Sequence, residues 1–266
     1  MKLSIIIVSF NAKEFLKKCL ESIYRYIDIS AYEIIVVDND SIDGSAKMVK
    51  KEFSKVELIE NSKNLGFAKA VNQGIREAKG EFIFLLNPDS EIKRGVLRKL
   101  IEFAEKNPDA GVVGVKLLNP DGSIQPSIYH FPTIFRAIKE FWFGQRGAYE
   151  KYAPAGMEPV EVDAVTGAAM LISRKTIEKV GFFDERYFMY FEDLDYCRRV
   201  RKAGLKVYYF PRAEIIHHHG KSAFSVGEKA YCWLCQSSKI YNGVLKHWFL
   251  TAAILIGQKW RKILKL

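Results

Sequence analysis

Three groups of side chains in this sequence could do chemistry together. Asp89 follows a fully apolar run, Phe82–Leu86, through Asn87 and Pro88. A carboxylate fixed there by a proline is placed to hold a divalent cation against phosphates. His217 ends another apolar run, Ile215-Ile216, and its imidazole could add a nitrogen ligand. Mixed oxygen and nitrogen ligation suits Mn²⁺ or Mg²⁺. Glu192, Asp193 and Asp195 cluster at a helix start behind the bulky run Phe188-Met189-Tyr190-Phe191. A carboxylate partly removed from water there has a raised pKa and could act as general base.

Each group also has a plainer reading. Asn-Pro-Asp is a common turn, a histidine tract is often solvated, and acids at a helix start favour the dipole. Asp195 and Arg198 are spaced to pair across one helical turn. Asp38 could accept from a base or ribose, and Asn64-Leu65-Gly66-Phe67-Ala68 could wrap a nucleoside. Asp38 and Asp43 serve equally well as turn and cap residues.

The elements that must position these groups alternate. Leu3–Ser9 and Ile34–Asp38 are continuous β-branched runs, as expected of strands covered on both faces. Between them Phe15, Leu16, Cys19, Leu20 and Ile23 recur at helical spacing, with Asn11 as the expected N-cap and Glu14 as its capping-box partner. Residues 56–60 predict a third strand, residues 67–78 a helix and Phe82–Leu86 a fourth strand. A further helix is expected over 96–105 and a strand over 111–118. This βαβα series predicts a mostly parallel sheet with helices on both faces, where ligands sit at the strand carboxyl ends. Residues 123–160 read as an irregular acceptor-side loop whose Phe131, Phe135, Phe141, Trp142 and Phe143 are too apolar to stay solvated. Strand character returns at 162–172, a helix is expected over 193–202, and a short strand over 207–210.

With 48% hydrophobic and 27% charged residues, the 266-residue chain is neither disordered nor collagenous. No G-x-G-x-x-G follows the first strand and no P-loop is present, which disfavours a dinucleotide oxidoreductase and P-loop phosphoryl transfer. Of the net +10 charge, residues 221–266 carry +7. That asymmetry suits a tail meeting an anionic surface better than it suits a nucleic-acid binder. Within the tail, residues 248–257 are apolar apart from Thr251, and Trp260 with Lys259, Arg261, Lys262 and Lys265 follows. Such a segment fits a membrane interface; a helix packed on the domain, or on a second copy in a homodimer, is the alternative. Cys232 and Cys235 read as buried helix cysteines. The N-terminus enters an apolar run directly, which predicts no secretory leader and a cytoplasmic protein, peripheral on the membrane if the tail docks there.

Taken in order, these segments resemble the family 2 glycosyltransferases of the GT-A fold, in particular their rhamnosyltransferase-like branch. The residues that carry the likeness are Ile7–Asn11, Val37–Ser45, Asn64–Ala68, Leu86–Asp89, Val165–Met170, Phe191–Asp195 with Arg198, and His217 to Ser222. The resemblance implies an α/β GT-A domain over 1–222, with a Rossmann-like, mostly parallel sheet flanked by helices. Residues 1–90 would form its nucleotide-sugar-binding half and 91–222 the acceptor and catalytic half with a smaller acceptor-side subregion, followed by a helical tail, 223–266. Ser9, Asn11, Asp38 and Asn39 would contact the nucleotide, with Gly66, Phe67 and Ala68 closing over it. Asp89 matches the last Asp of the family's metal-binding Asp-x-Asp, whose first position is Asn87 here. Asp89, His217 and the donor diphosphate would then share a Mg²⁺ or Mn²⁺. Thr166 and Gly167 match the floor beneath donor phosphate and acceptor, and Lys221 would offset leaving-group charge. Asp193 matches the catalytic base, with Glu192 beside it. The reaction implied is inverting transfer from a UDP- or dTDP-linked sugar to a hydroxyl of a glycan or lipid-linked acceptor. The substitution at Asn87 keeps a second reading open, a nucleotide-sugar-binding protein without catalysis.

Overall fold

The computed structural model describes residues 1–218 and 227–264. The first half alternates as expected: β1 (Leu3–Ser9), α1 (Lys13–Tyr26), β2 (Tyr32–Asp38), α2 (Ser45–Glu52), β3 (Glu57–Glu60), α3 (Phe67–Glu77), β4 (Phe82–Leu86), β5 (Ser90–Ile92), α4 (Val96–Lys106) and β6 (Ala110–Leu118). Shorter pieces follow: β7 (Ile124–Gln125), β8 (Ile128–Tyr129), α5 (Ile134–Phe141), β9 (Val160–Glu161), β10 (Ala164–Val165), β11 (Ala169–Ser173) and α6 (Arg174–Val180). Then come α7 (Glu192–Lys202), β12 (Lys206–His217), α8 (Gly227–Asn242) and α9 (Val244–Leu264).

The main sheet runs β3-β2-β1-β4-β11-β6-β12-β5, with β7 on β6 and β9 on β12; β8 and β10 pair separately. Strands β3, β2, β1 and β4 are parallel, and β12 is parallel to β6, while β11 and β5 run against their neighbours. Alternation sorts the apolar strand residues onto two cores. Ile5, Ile7, Val36 and Phe84 pack with Leu16, Leu20 and Leu100 on one face. Ile6, Ile35, Ile83 and Leu85 pack with Val71, Ile75, Tyr196 and Val200 on the other. Both faces are therefore dry, which is why β1 and β4 read as unbroken apolar runs.

Several expectations needed correction. Asn11 does not cap α1; Ala12 is the N-cap residue and caps with no side-chain bond. Asn11 instead sits at φ +49, and its Oδ1 accepts the Ile42 amide at 2.9 Å. The α1 start is satisfied from a distance, by Asp43 Oδ2 accepting the Lys13 amide at 2.8 Å. Residues 123–160 are not one loop but hold β7, β8 and the helix α5, capped by Thr133. Their aromatic residues divide between solvent and packing: Phe135 and Phe143 are exposed, while Trp142 packs on α9. The strand expected at 207–210 and the run at 215–216 are one strand, interrupted by an irregularity between Phe210 and Glu214, around Pro211. Cys232 and Cys235 lie on α8, but neither is buried: Cys232 is exposed and Cys235 half-buried.

The tail folds back onto the rest of the chain. Trp142 Nε1 donates to the Ala253 carbonyl at 2.8 Å, and Gly257 lets α9 approach so closely that a Cβ there would strike the Trp142 ring. Trp248, Phe249, Leu255, Ile256 and Trp260 of α9 remain exposed. No helix among the described residues is long and apolar enough to cross a membrane.

Candidate active site

One cavity of about 750 Å³ opens at the carboxyl ends of the central strands. Of the residues selected from sequence, it is lined by Asn39, Gly66, Phe67, Asn87, Asp89, Thr166, Gly167, Glu192, Asp193 and His217. Ser9, Asn11, Asp38 and Ala68 are not among its lining residues. Ser9 and Asp38 are buried, and the Asn39 amide donates to the Ser9 carbonyl at 2.8 Å, which locks the ends of β1 and β2. Asp38 Oδ2 accepts the Ser41 amide, the turn role that its position allowed. Lys221, with Gly220 and Ser222, lies outside the described residues.

The turn before α3 is held from two sides. Asn39 Nδ2 donates to the Gly66 carbonyl at 3.1 Å, and Asn64 Oδ1 accepts the Gly66 amide at 2.9 Å. The Phe67 amide donates to the Phe188 carbonyl at 2.7 Å. Gly66 sits at φ +84 and ψ 170, a region that is essentially glycine-only. A Cβ there would meet Phe188 O at 2.5 Å, so both backbone angle and space require glycine.

Strand pairing brings Asp89 and His217 together across 128 residues of sequence. His217 stands opposite Ser90 in the antiparallel β12–β5 pair, and the His218 amide donates to the Asp89 carbonyl at 2.8 Å. His217 Nδ1 lies 2.6 Å from Gln125 Oε1, so this nitrogen carries the proton. Its Nε2 then presents a lone pair 3.3 Å from Asp89 Oδ1 and 3.4 Å from Asn87 Nδ2. A nitrogen lone pair and a carboxylate oxygen this close fit a shared cation, and the glutamine that orients the ring completes the usual arrangement for a metal-binding histidine. The described residues contain no group of three or more His, Cys, Asp or Glu able to hold a metal. The donor set therefore fits a hard divalent ion whose remaining oxygens come from elsewhere.

Glu192 and Asp193 open α7, and the two residues before them, Tyr190 and Phe191, both sit at positive φ. Non-glycine residues pay for that conformation, so the turn must be held from outside. Ser237 of α8 donates to the Met189 carbonyl at 2.8 Å, and Trp233 packs on Phe188. Asp193 accepts two amides, from Gly167 at 3.1 Å and Leu194 at 2.8 Å. Burial raises its pKa, while Lys151 and these amides work against the rise. Glu192 is pushed up well above the usual glutamate range, by burial first and by the Asp193 charge second. Asp195 pairs with Arg198 as expected, at 2.9 Å, and also with Arg199 at 2.8 Å.

The turn 166–168 joins the two ends of the cavity. Gly167 donates to Asp193, and the Ala168 carbonyl accepts the Asn87 amide at 2.8 Å. Sequence reasoning missed Tyr129, Lys151 and the α8 and α9 residues that finish the wall, among them Trp233, Leu250 and Ile254. None belongs to a recognisable motif, and only the basic, apolar character of the tail hinted that it had work to do.

The family model for glycosyl transferase family 2 matches residues 4–181. The chain belongs to that family. It is 31% identical over 239 residues to an N-acetylglucosaminyl-diphospho-decaprenol L-rhamnosyltransferase of Mycobacterium tuberculosis, covering 83% of this chain and 77% of that one. The mannosyltransferase PcManGT of Pyrobaculum calidifontis, solved with GDP-Man and Mn²⁺, superposes at TM-score 0.60 with 17% identity, over 98% of this chain and 69% of that one. GalNAc-T7, solved with UDP, GalNAc and Mn²⁺, superposes at TM-score 0.65 with 17% identity, over 82% of this chain but only 44% of its own. The fold is thus GT-A, and the protein is a glycosyltransferase of family 2, similar to the rhamnosyltransferases.

Proposed function

We propose that this glycosyltransferase moves a sugar from a UDP- or dTDP-linked donor to a hydroxyl of a glycan or lipid-linked acceptor, with inversion and with Asp193 as general base. The observation that carries the reading is Asp193 itself. It is a buried carboxylate at the cavity wall, fixed by two amides and raised toward the range where it can take a proton. Asp193 would accept the acceptor's hydroxyl proton as that oxygen attacks the anomeric carbon. Asn39, Gly66 and Phe67 would bind the nucleoside, and Thr166 and Gly167 would lie beneath the donor phosphates. Asp89 and His217 would hold a Mg²⁺ or Mn²⁺, whose contribution there is to offset negative charge on the diphosphate. Having Asn87 in place of a carboxylate leaves this site one charge poorer, so the cation depends more on the donor. The solved neighbours' nucleotides and Mn²⁺ accord with this reading.

The exposed apolar side of α9, bordered by Lys246, Lys259, Arg261 and Lys262, would rest on a membrane surface and bring the cavity to a lipid-linked acceptor. Thermal unfolding with UDP, dTDP, GDP and CDP, each with and without Mn²⁺, tests the donor side. At about a hundred times Kd, one nucleotide should add roughly 2.7 kcal/mol in a metal-dependent way. Asp89→Ala should abolish the metal dependence. A panel with no stabilising member, or an unchanged metal effect in the variant, contradicts the proposal.

A further inference from the structure

The cavity is lopsided in charge. Asp89, Glu150, Glu192 and Asp193 all line it, and among the described residues Lys151 is the only lysine or arginine that does. Backbone anchors on both sides put it there. On one side the buried Glu140 carboxylate of α5 accepts the amides of Gly147 at 3.2 Å, Tyr149 at 2.6 Å and Glu150 at 2.9 Å. On the other side Tyr152 bridges to Ile128, with bonds of 2.9 and 3.0 Å. Lys151 is left little backbone freedom between them. Its Nζ lies 5.2 Å from the centroid of the Tyr129 ring, next to the bridge, where the ring face attracts an ammonium.

We propose that Lys151 is the charge partner of Asp193, an anchored ammonium that favours the ionised form of this carboxylate in a cavity whose other lysine, arginine, aspartate and glutamate residues, among those described, are all acids. Lys151 is thus a positioning residue that acts through Asp193, and the proposal rests on the reading of Asp193 as the base. The interaction is reciprocal: Lys151 counters the effect of burial on Asp193, while Asp193 and Glu192 counter the effect of burial on Lys151.

The other groups facing this pair include no second lysine or arginine among the described residues. Tyr129 of β8 and Tyr190 before α7 are pushed up by burial, and Tyr149 to about 12, so all three stay neutral. His247 of α9 is pushed down, by burial and by Lys239. His130 lies 3.3 Å from Asp163, a carboxylate outside the cavity lining. Glu150 is exposed, and Tyr231 and Cys235 reach the cavity from α8.

The test is the pH dependence of kcat and kcat/KM for the full-length enzyme, comparing wild type with Lys151→Gln, Lys151→Met, Lys151→Arg and Asp193→Asn. Removing an opposite charge from the same cavity wall should raise the acid limb by about one pH unit or more, roughly a tenfold loss below it. Activity should recover at high pH, and Lys151→Arg should keep the limb near its wild-type position. The two neutral variants guard against a fold defect in either one. An acid limb that stays in place in both neutral variants overturns the proposal. So does a change confined to the KM of one substrate at every pH, which would mean that Lys151 binds a substrate phosphate. If Asp193→Asn retains the acid limb at normal activity, the base assignment itself fails, a result distinguishable from failure at Lys151 alone.

Discussion

Asp193 Oδ2 accepts the Gly167 amide at 3.1 Å, and this bond ties the first turn of α7 to the bend between β10 and β11. The same bend is tied to Asn87 through the Ala168 carbonyl. The proposed proton acceptor, and the segment that carries the proposed cation ligand Asp89, are thereby fixed to one three-residue turn. Catalytic geometry of this kind tolerates little error, since misplacement by an ångström can cost a large factor in rate.

Glu192→Gln separates the two adjacent acids. Burial and the Asp193 charge raise the Glu192 pKa, so above the usual glutamate range the folded state binds a proton that the unfolded chain has lost. Stability should therefore be fully present at low pH and decline as pH rises through the raised value. Glutamine resembles the protonated acid, so the variant should lose that decline while transfer stays within about tenfold of wild type. Unfolding midpoints measured from pH 5 to 9 check the first statement, and a transfer assay the second.

Gly66→Ala should be costly out of proportion to one methyl group. Its backbone angles alone imply about 1–3 kcal/mol, and the new Cβ must also displace Phe188. Since the Phe188 carbonyl accepts the Phe67 amide, nucleotide binding should weaken along with stability. Chemical denaturation and the thermal-shift panel read the two effects separately.

Much of this was legible from the sequence, and the failures share a cause. The bounds of β1 and β4 are legible as observed, and those of α7 to within one residue, because apolar runs and helix stops are local signals. Asn11 looked like a cap because it precedes a helix and stands three residues before Glu14, yet Asp43, thirty residues from Lys13, does the work. Lys151 and Tyr129 carry no motif, and the long-range contacts that place them, the Tyr152–Ile128 bridge, the β8–β10 pair and the Glu140 carboxylate, leave no local signal. Helix α5 was hidden because its exposed Phe135 blurs the helical pattern that the packed face would otherwise show. Asp89 and His217 each stood out as a candidate ligand at the end of an apolar run, but the β5–β12 pairing that brings them together has no local signal.

Asp195→Ala should destabilise the fold without directly touching the proposed chemistry. The carboxylate is buried and bridges Arg198 and Arg199, and Arg199 also donates to the carbonyls of Val180 and Phe182. The arginines keep about a third of their surface, so the loss is smaller than for a fully buried pair. A decrease of about 2 kcal/mol, or roughly 4–8 °C in Tm, is expected by calorimetry.

The most direct test of the account is sugar transfer by Asp193→Asn, measured beside its nucleotide-induced thermal shift. Asparagine keeps the shape and can still accept an amide, so the variant should fold and keep its donor-induced shift. Transfer should fall by about 10²–10⁴, the range for loss of a general base. A folded variant that transfers sugar at the wild-type rate would contradict the account, and the base would have to be sought elsewhere in the cavity.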